Sequence, residues 1–159
     1  MDPFLTAFND MLVNAYQSIC KVEELMLRKL SDSKLSLSEM HMLASIGKKR
    51  DADMTITDIA QDLDITPPSV TAMVKRLEKK GYIVKEKCGD DARRVNIALT
   101  PEGRRAEIAH RYYHRQMVRA ITRDLTQQER DAIITGLTKM IAFMRTGIER
   151  FEAGKEDCK

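Results

Sequence analysis

Between Thr66 and Thr100 the chain carries eight basic side chains, Lys75, Arg76, Lys79, Lys80, Lys85, Lys87, Arg93 and Arg94, against four acidic ones, Glu78, Glu86, Asp90 and Asp91. This segment alone has an excess of four positive charges, whereas all 159 residues together have a net charge of only +3. Cations gathered in one segment attract polyanions. When the polyanion is a nucleic acid, binding is salt-sensitive, because each neutralised phosphate releases condensed counterions.

Local signals from Thr55 to Thr100 must position these groups. Thr55 and Asp58 have capping-box spacing, which opens a short helix with Ile59, Ala60 and Leu63 facing inward. Asp64, Ile65 and Thr66 form a turn. Thr66 caps a second helix, and Pro67 takes its first position, where a missing N–H is no loss. Val70, Met73, Val74 and Leu77 recur at helical spacing and predict the core face. Ser69, Thr71, Ala72, Lys75 and Arg76 fall on the opposite side. Gly81 ends this helix, since it adopts a left-handed conformation readily.

Tyr82 to Lys87 then has the β-branched and aromatic bias of a strand, Gly89, Asp90 and Asp91 mark a turn, and Arg93 to Leu99 alternates like a returning strand. Thr100-Pro101 stops it and opens another helix. Helix, turn, helix and basic hairpin in that order predict a winged helix-turn-helix: mainly α with a small β-wing. Its second helix suits a DNA major groove, and its wing suits the adjacent minor groove or backbone. Pro68, Ser69, Thr71, Ala72 and Lys75 are the expected groove surface. Thr66 and Arg76 are expected at phosphates, and Lys79, Lys80 and Lys85 can equally form a solvated face. Winged helices also dock partner proteins, but basic chemistry on both helix and wing favours duplex DNA.

The run from the helix-turn-helix through Asp91-Ala92-Arg93 to Leu99-Thr100-Pro101-Glu102-Gly103 resembles the MarR family of bacterial transcription regulators. The resemblance rests on an Asp-x-Arg wing followed by Leu-Thr-x-x-Gly, here Asp91, Arg93, Leu99, Thr100 and Gly103. It implies that Asp91 orients Arg93 into a minor groove, with Arg94 and Lys87 on the backbone. It also implies a homodimer acting on a double-stranded DNA operator, as a repressor.

The flanks agree with a dimer. Phe4, Phe8, Met11, Leu12, Ala15, Tyr16, Ile19, Val22 and Met26 recur every three or four residues. Ser36 and Glu39 form a further capping box opening a helix through Ser45. Glu102 to Arg123 reads as a long Arg-rich helix. Thr126 and Glu129 cap a last one, whose stripe includes Ile133, Ile134, Leu137, Met140, Ile141, Met144 and Ile148. Glu152 to Lys159 reads as a frayed charged tail. The stripes can pack on each other within one subunit, but interdigitation across a two-fold axis buries them better and matches a palindromic operator. The expected organisation is an N-terminal dimerisation helix (1–30), a winged domain (31–103) and C-terminal dimerisation helices (104–159).

Other classes are poorly served. No Gly-rich phosphate loop, nucleophile elbow or paired-carboxylate motif is present, so an enzyme is not expected. No cofactor is expected either. His110 and His114 have a metal-compatible i, i+4 spacing, yet only Glu107 stands near them in sequence, so a solvated or interface pair is expected and no metal. Cys20, Cys88 and Cys158 are scattered and odd in number, which fits a reduced cytoplasmic compartment. Thiol sensing would need an accessible low-pKa cysteine, and Cys88 beside Lys87 has the favourable charge environment. No apolar run approaches the roughly 20 residues that span a bilayer, so no membrane partner is expected.

Val22-Glu23-Glu24, Ser38-Glu39-Met40-His41 and His110-Arg111-Tyr112-Tyr113-His114 together resemble the MarR branch that controls fatty-acid synthesis in low-GC Gram-positive bacteria. That resemblance implies a response to acyl chains on acyl carrier protein. Tyr16, Met40, His41, Met117 and Phe143 are the residues expected to line an acyl slot, pliable methionines suiting such a site. MarR-type response to phenolic or drug-like ligands, or to thiol oxidation, is the alternative.

Overall fold

The computed structural model describes residues 2–30, 35–48, 54–87 and 95–156. In chain order the elements are α1 (Pro3–Leu30), α2 (Leu37–Lys48), α3 (Ile56–Leu63), α4 (Pro67–Lys79), β1 (Ile83–Lys87), β2 (Val95–Leu99), α5 (Pro101–Thr122) and α6 (Gln127–Glu156). They form two compact units, Met1–Tyr113 and His114–Lys159, with the boundary inside α5. Among the described residues no helix is long and apolar enough to cross a membrane.

In the first unit the caps fall where the side-chain chemistry puts them. The Ser36 N–H donates to Glu39 Oε2 at 2.8 Å and the Glu39 N–H to Ser36 Oγ at 3.3 Å, opening α2. Thr55 and Asp58 do the same for α3, at 2.9 and 3.2 Å. Asp64 takes a left-handed φ of 53° after α3, and the Ile65 N–H reaches the Ala60 carbonyl at 3.1 Å. At the end of α4, Gly81 has φ 79°. The N–H groups of Gly81 and Tyr82 donate to the carbonyls of Glu78 (2.9 Å) and Leu77 (3.0 Å), the paired bonds of a Schellman ending.

The wing is a two-stranded antiparallel sheet with Lys85 opposite Ile97 and Ile83 opposite Leu99. Only the part of the return strand from Val95 is described; Asp91, Arg93 and Arg94 lie outside the described residues, as do Cys88 and Cys158. One feature was not anticipated from sequence. Met54 bridges to Ile97, whose N–H donates to the Met54 carbonyl at 2.8 Å, tying the entry to α3 onto the wing.

Apolar side chains from each of these elements meet in one core. Met42, Leu43 and Ile46 of α2, Ile59 of α3, Val70, Val74 and Leu77 of α4, and Ile83 and Ile97 of the wing are all buried. Among the described residues of α1, Met26 and Leu27 near its C-terminal end join them. The start of α5 is seated by the Leu-Thr-x-x-Gly run. The Thr100 hydroxyl donates to the Gly81 carbonyl at 2.7 Å and accepts the Gly103 N–H at 3.1 Å. A Cβ at Gly103 would lie 2.0 Å from the Tyr82 carbonyl oxygen, so no larger residue fits without displacing backbone. The glycine of that motif is thus a packing requirement.

Helix α4 is also held by charge. Glu39, 2% exposed, receives Lys80 Nζ on both carboxylate oxygens at 2.8 and 2.6 Å. Arg76 Nε lies 3.6 Å from Glu39 Oε1. One carboxylate therefore caps α2 and clamps the C-terminal end of α4.

The second unit consists of the remainder of α5 and of α6. Thr126 and Glu129 open α6 through a reciprocal cap at 2.7 and 3.3 Å. The tail expected to fray from Glu152 instead continues α6 through Glu156. No proline interrupts Phe151 to Glu156, and propagating an existing helix is far easier than nucleating one.

Burial opposes ionisation of Glu39, but the bonds from Lys80 and Ser36 outweigh it and hold its carboxyl below the usual value of 4.5. A folded-state pKa below the unfolded one contributes stability that is full above the unfolded value and lost as pH falls through the folded value. Glu39→Gln is expected to lower stability at neutral pH, by about 1–3 kcal/mol. It should also flatten the acid limb of the stability curve below about pH 4.5. Denaturant unfolding at a series of pH values checks both.

Candidate nucleic-acid interface

Helix α4 sorts its residues by face. Val70, Met73, Val74 and Leu77 are buried, which turns Pro67, Pro68, Ser69, Ala72, Lys75, Arg76 and Lys79 outward into solvent. The expected groove surface of Pro68, Ser69, Ala72 and Lys75 thus stands together on one exposed face. Thr66 caps α4, its hydroxyl accepting the Ser69 N–H at 3.4 Å and bonding Ser69 Oγ at 2.9 Å. The helix N-terminus so presented suits a phosphate, since backbone N–H groups and the helix dipole both favour an anion there.

Thr71 differs from the rest. It is half-buried, and its hydroxyl donates to the Pro67 carbonyl at 3.0 Å. That leaves an acceptor lone pair and a methyl group for an approaching base, but not the donor. Arg76 remains largely exposed, with 57% of its side chain accessible, while leaning toward Glu39. This tether restricts the guanidinium to one side of α4.

The basic residues that sequence alone left between two roles divide clearly. Lys80 is bonded to Glu39, and Lys85 Nζ sits 2.5 Å from Glu78 Oε2. Lys79 is exposed on α4. Lys87 ends β1 at the wing, and Arg93, Arg94 and Asp91 fall outside the described residues. Sequence reasoning missed Glu39 as the anchor of α4. Its capping role was visible, but its partner Lys80 is 41 positions away, and no local spacing encodes that pairing.

An open groove of about 460 Å³ runs beside this surface, between Ser38 and His41 of α2, Leu63 and Ile65 at the α3–α4 turn, and Ser69, Ala72, Met73 and Arg76 of α4. That volume lies within the range of small-molecule sites. Of the five residues expected around an acyl slot, His41 borders the groove. Met40 is buried in the core at 1% exposure and Tyr16 is exposed on α1 at 68%. Met117 and Phe143 belong to the second unit, where Met117 is half-buried and Phe143 is 80% exposed. Cys20 is a half-buried free thiol.

Residues 35–95 match the MarR family. The structure is similar to that of FabT from Streptococcus pneumoniae, solved in complex with DNA, with a TM-score of 0.82 and 30% identity, covering 89% of this chain and 97% of FabT. Among curated relatives, the HTH-type transcriptional regulator YhjH of Bacillus subtilis is 30% identical over 57% of this chain and 53% of its own length. The HTH-type transcriptional repressor MdtR of the same species is 29% identical over 52% of each. The chain spans about half the length of these two curated relatives. All three similar proteins are regulators by name or are bound to DNA. The matched segment runs from α2 through α3, α4 and β1 to the first residue of β2, and the chain belongs to the MarR family of winged helix-turn-helix transcription regulators.

Proposed function

We propose that this chain is a cytoplasmic, homodimeric DNA-binding repressor that acts on a palindromic operator. The observation that carries the reading is the outward face of α4, a capped helix with short side chains at its N-terminal half and cations beyond them. A helix of that kind enters a major groove and leaves its neighbours to the phosphates. The likeness to a DNA-bound structure over 97% of that chain supports the same reading.

Dimerisation is supported by apolar side chains left in solvent within each unit. Phe4, Met11 and Tyr16 on α1 are 68–72% exposed, and Ile134, Ile141 and Phe143 on α6 are 52–80% exposed. Single exposed apolar residues need no explanation, but continuous stripes on two long helices mark contact surfaces. A second copy is the occupant that would also give two reading heads. A duplex footprint is expected to cover two half-sites whose centres lie about 10 bp apart. Protection of one half-site alone, or a monomer by sedimentation at micromolar concentration, contradicts the dimer.

Arg93→Ala is expected to weaken binding to all duplexes, to flatten the salt slope by about one unit for each phosphate no longer neutralised, and to weaken binding most on A·T-rich flanks. Lys75→Ala and Thr71→Ala should instead change the ranking of operators. Electrophoretic titrations across salt concentrations and operator variants read both effects. Unchanged affinity in Arg93→Ala removes the wing from the interface.

The effector we propose is a long-chain acyl group delivered by acyl carrier protein, in keeping with the sequence resemblance to the fatty-acid branch and with the groove beside α4. Arg104, Arg105, Arg111, Arg115 and Arg119 on α5, with Arg123 just after its end, offer cations to that acidic class of carrier. Arg105 already pairs with Glu102, and Arg111 Nε lies 3.4 Å from Glu107. An occupant of the groove touches Ser69, Ala72 and Arg76 directly, so it changes operator affinity if it favours one position of α4. Titration of the protein–operator complex with loaded and unloaded carrier is expected to show a shift only with the loaded form. A shift with small planar aromatics and none with any acyl chain assigns the groove to drug-like ligands instead.

A further inference from the structure

Glu23 of α1, His41 of α2 and His110 of α5 converge in the first unit, although they are spread over almost 90 residues of sequence. His41 Nε2 lies 3.6 Å from Glu23 Oε2, and His110 Nε2 lies 3.7 Å from Glu23 Oε1. One ligand atom from each residue falls within 4.8 Å of the other two. The separations from Glu23 to the two imidazoles are close to the span set by a shared cation, since metal–ligand bonds of about 2.0–2.1 Å in a tetrahedron place neighbouring ligands about 3.3 Å apart.

We propose that Glu23, His41 and His110 form a binding site for a divalent transition-metal ion of the zinc class. Two imidazole nitrogens and one carboxylate oxygen suit zinc, cobalt or nickel, and suit magnesium or calcium poorly. The carboxylate and one imidazole are already buried: Glu23 is 4% exposed and His110 is 5% exposed. The His41 side chain is 47% exposed, which gives the ion a route in and leaves a coordination position open to solvent. The site also has a place in the fold. It joins three helices, and its α2 ligand follows by two residues the Glu39 that clamps α4. This inference goes beyond the DNA-binding reading and does not rest on it.

The test uses the whole 159-residue chain stripped of metal. Zinc is titrated in competition with a chromophoric chelator, and cobalt(II) is followed by its visible ligand-field bands. One ion per chain is expected in the wild type, with a rise in thermal midpoint on adding zinc. His41→Ala removes a half-exposed ligand without opening a cavity, and Glu23→Gln keeps the side-chain shape. Each should weaken zinc binding at least tenfold and abolish the midpoint rise, while helical circular dichroism reports that the variant is folded. Should both variants unfold, X-ray absorption of the wild-type zinc complex decides: imidazole scattering with oxygen and no sulfur supports the site. No stoichiometric binding by the folded wild type, wild-type affinity in folded His41→Ala, or a sulfur ligand overturns it. None of these readouts involves DNA, so they stand apart from any result on operator binding.

Discussion

The buried carboxylate of Glu39 is the interaction on which the placement of the exposed face of α4 depends. A carboxylate at 2% exposure is tolerated only when its charge and lone pairs are answered. Here the answers come from two directions, the Ser36 N–H at the start of its own helix and the Lys80 ammonium just past α4. Because the same group serves both, α2 cannot shift along its axis without straining the end of α4. Apolar packing through Leu43, Val70, Val74 and Leu77 sets the distance between elements. The ion pair adds direction, which apolar packing lacks. Direction matters because a recognition helix must meet a groove at one angle to place its side chains at base edges.

The far end of the reading unit depends on a different kind of constraint. At Gly103 the α5 backbone comes so close to the Tyr82 carbonyl that a methyl group has no room. Thr100 sits between them, giving its hydroxyl proton to Gly81 and accepting the Gly103 N–H. The exit from α4, the end of β2 and the beginning of α5 are thereby joined within a few ångströms. The bridge from Met54 to Ile97 secures the wing to the entry of α3. The wing is thus fastened at its base, and short strands that would be marginal alone gain support from the body.

The exposed stripes of α1 and α6 contrast with this close packing. Helices α2, α3 and α4 bury most of their apolar residues, whereas α1 and α6 leave whole faces in water. Among the described residues of α1, Met26 and Leu27 are the ones that join the core, so most of its length contributes little to the fold of the single chain. A second copy would turn that face into buried area, and stability would then depend on protein concentration.

Local chemistry was sufficient to read the elements from sequence. The boundaries of α3 and α4, the turn at Asp64, the stop at Gly81 and the capped starts of α2 and α6 follow from side chains acting within four residues of themselves. Periodicity correctly separated the inner and outer faces of α4 for the same reason. What the sequence could not decide was any pairing between distant residues. That Glu39 meets Lys80, that Met54 joins Ile97, and that Glu23 gathers His41 and His110 are decided by how the helices pack, since no spacing along the chain distinguishes these partners from many others. His110 illustrates the difference. Read along its helix it pairs with His114 one turn away, but in the folded unit it lies beside a carboxylate and an imidazole from two other helices. The chain's own pattern determined which elements form and which faces they bury; only tertiary packing decided which charged groups share a buried space.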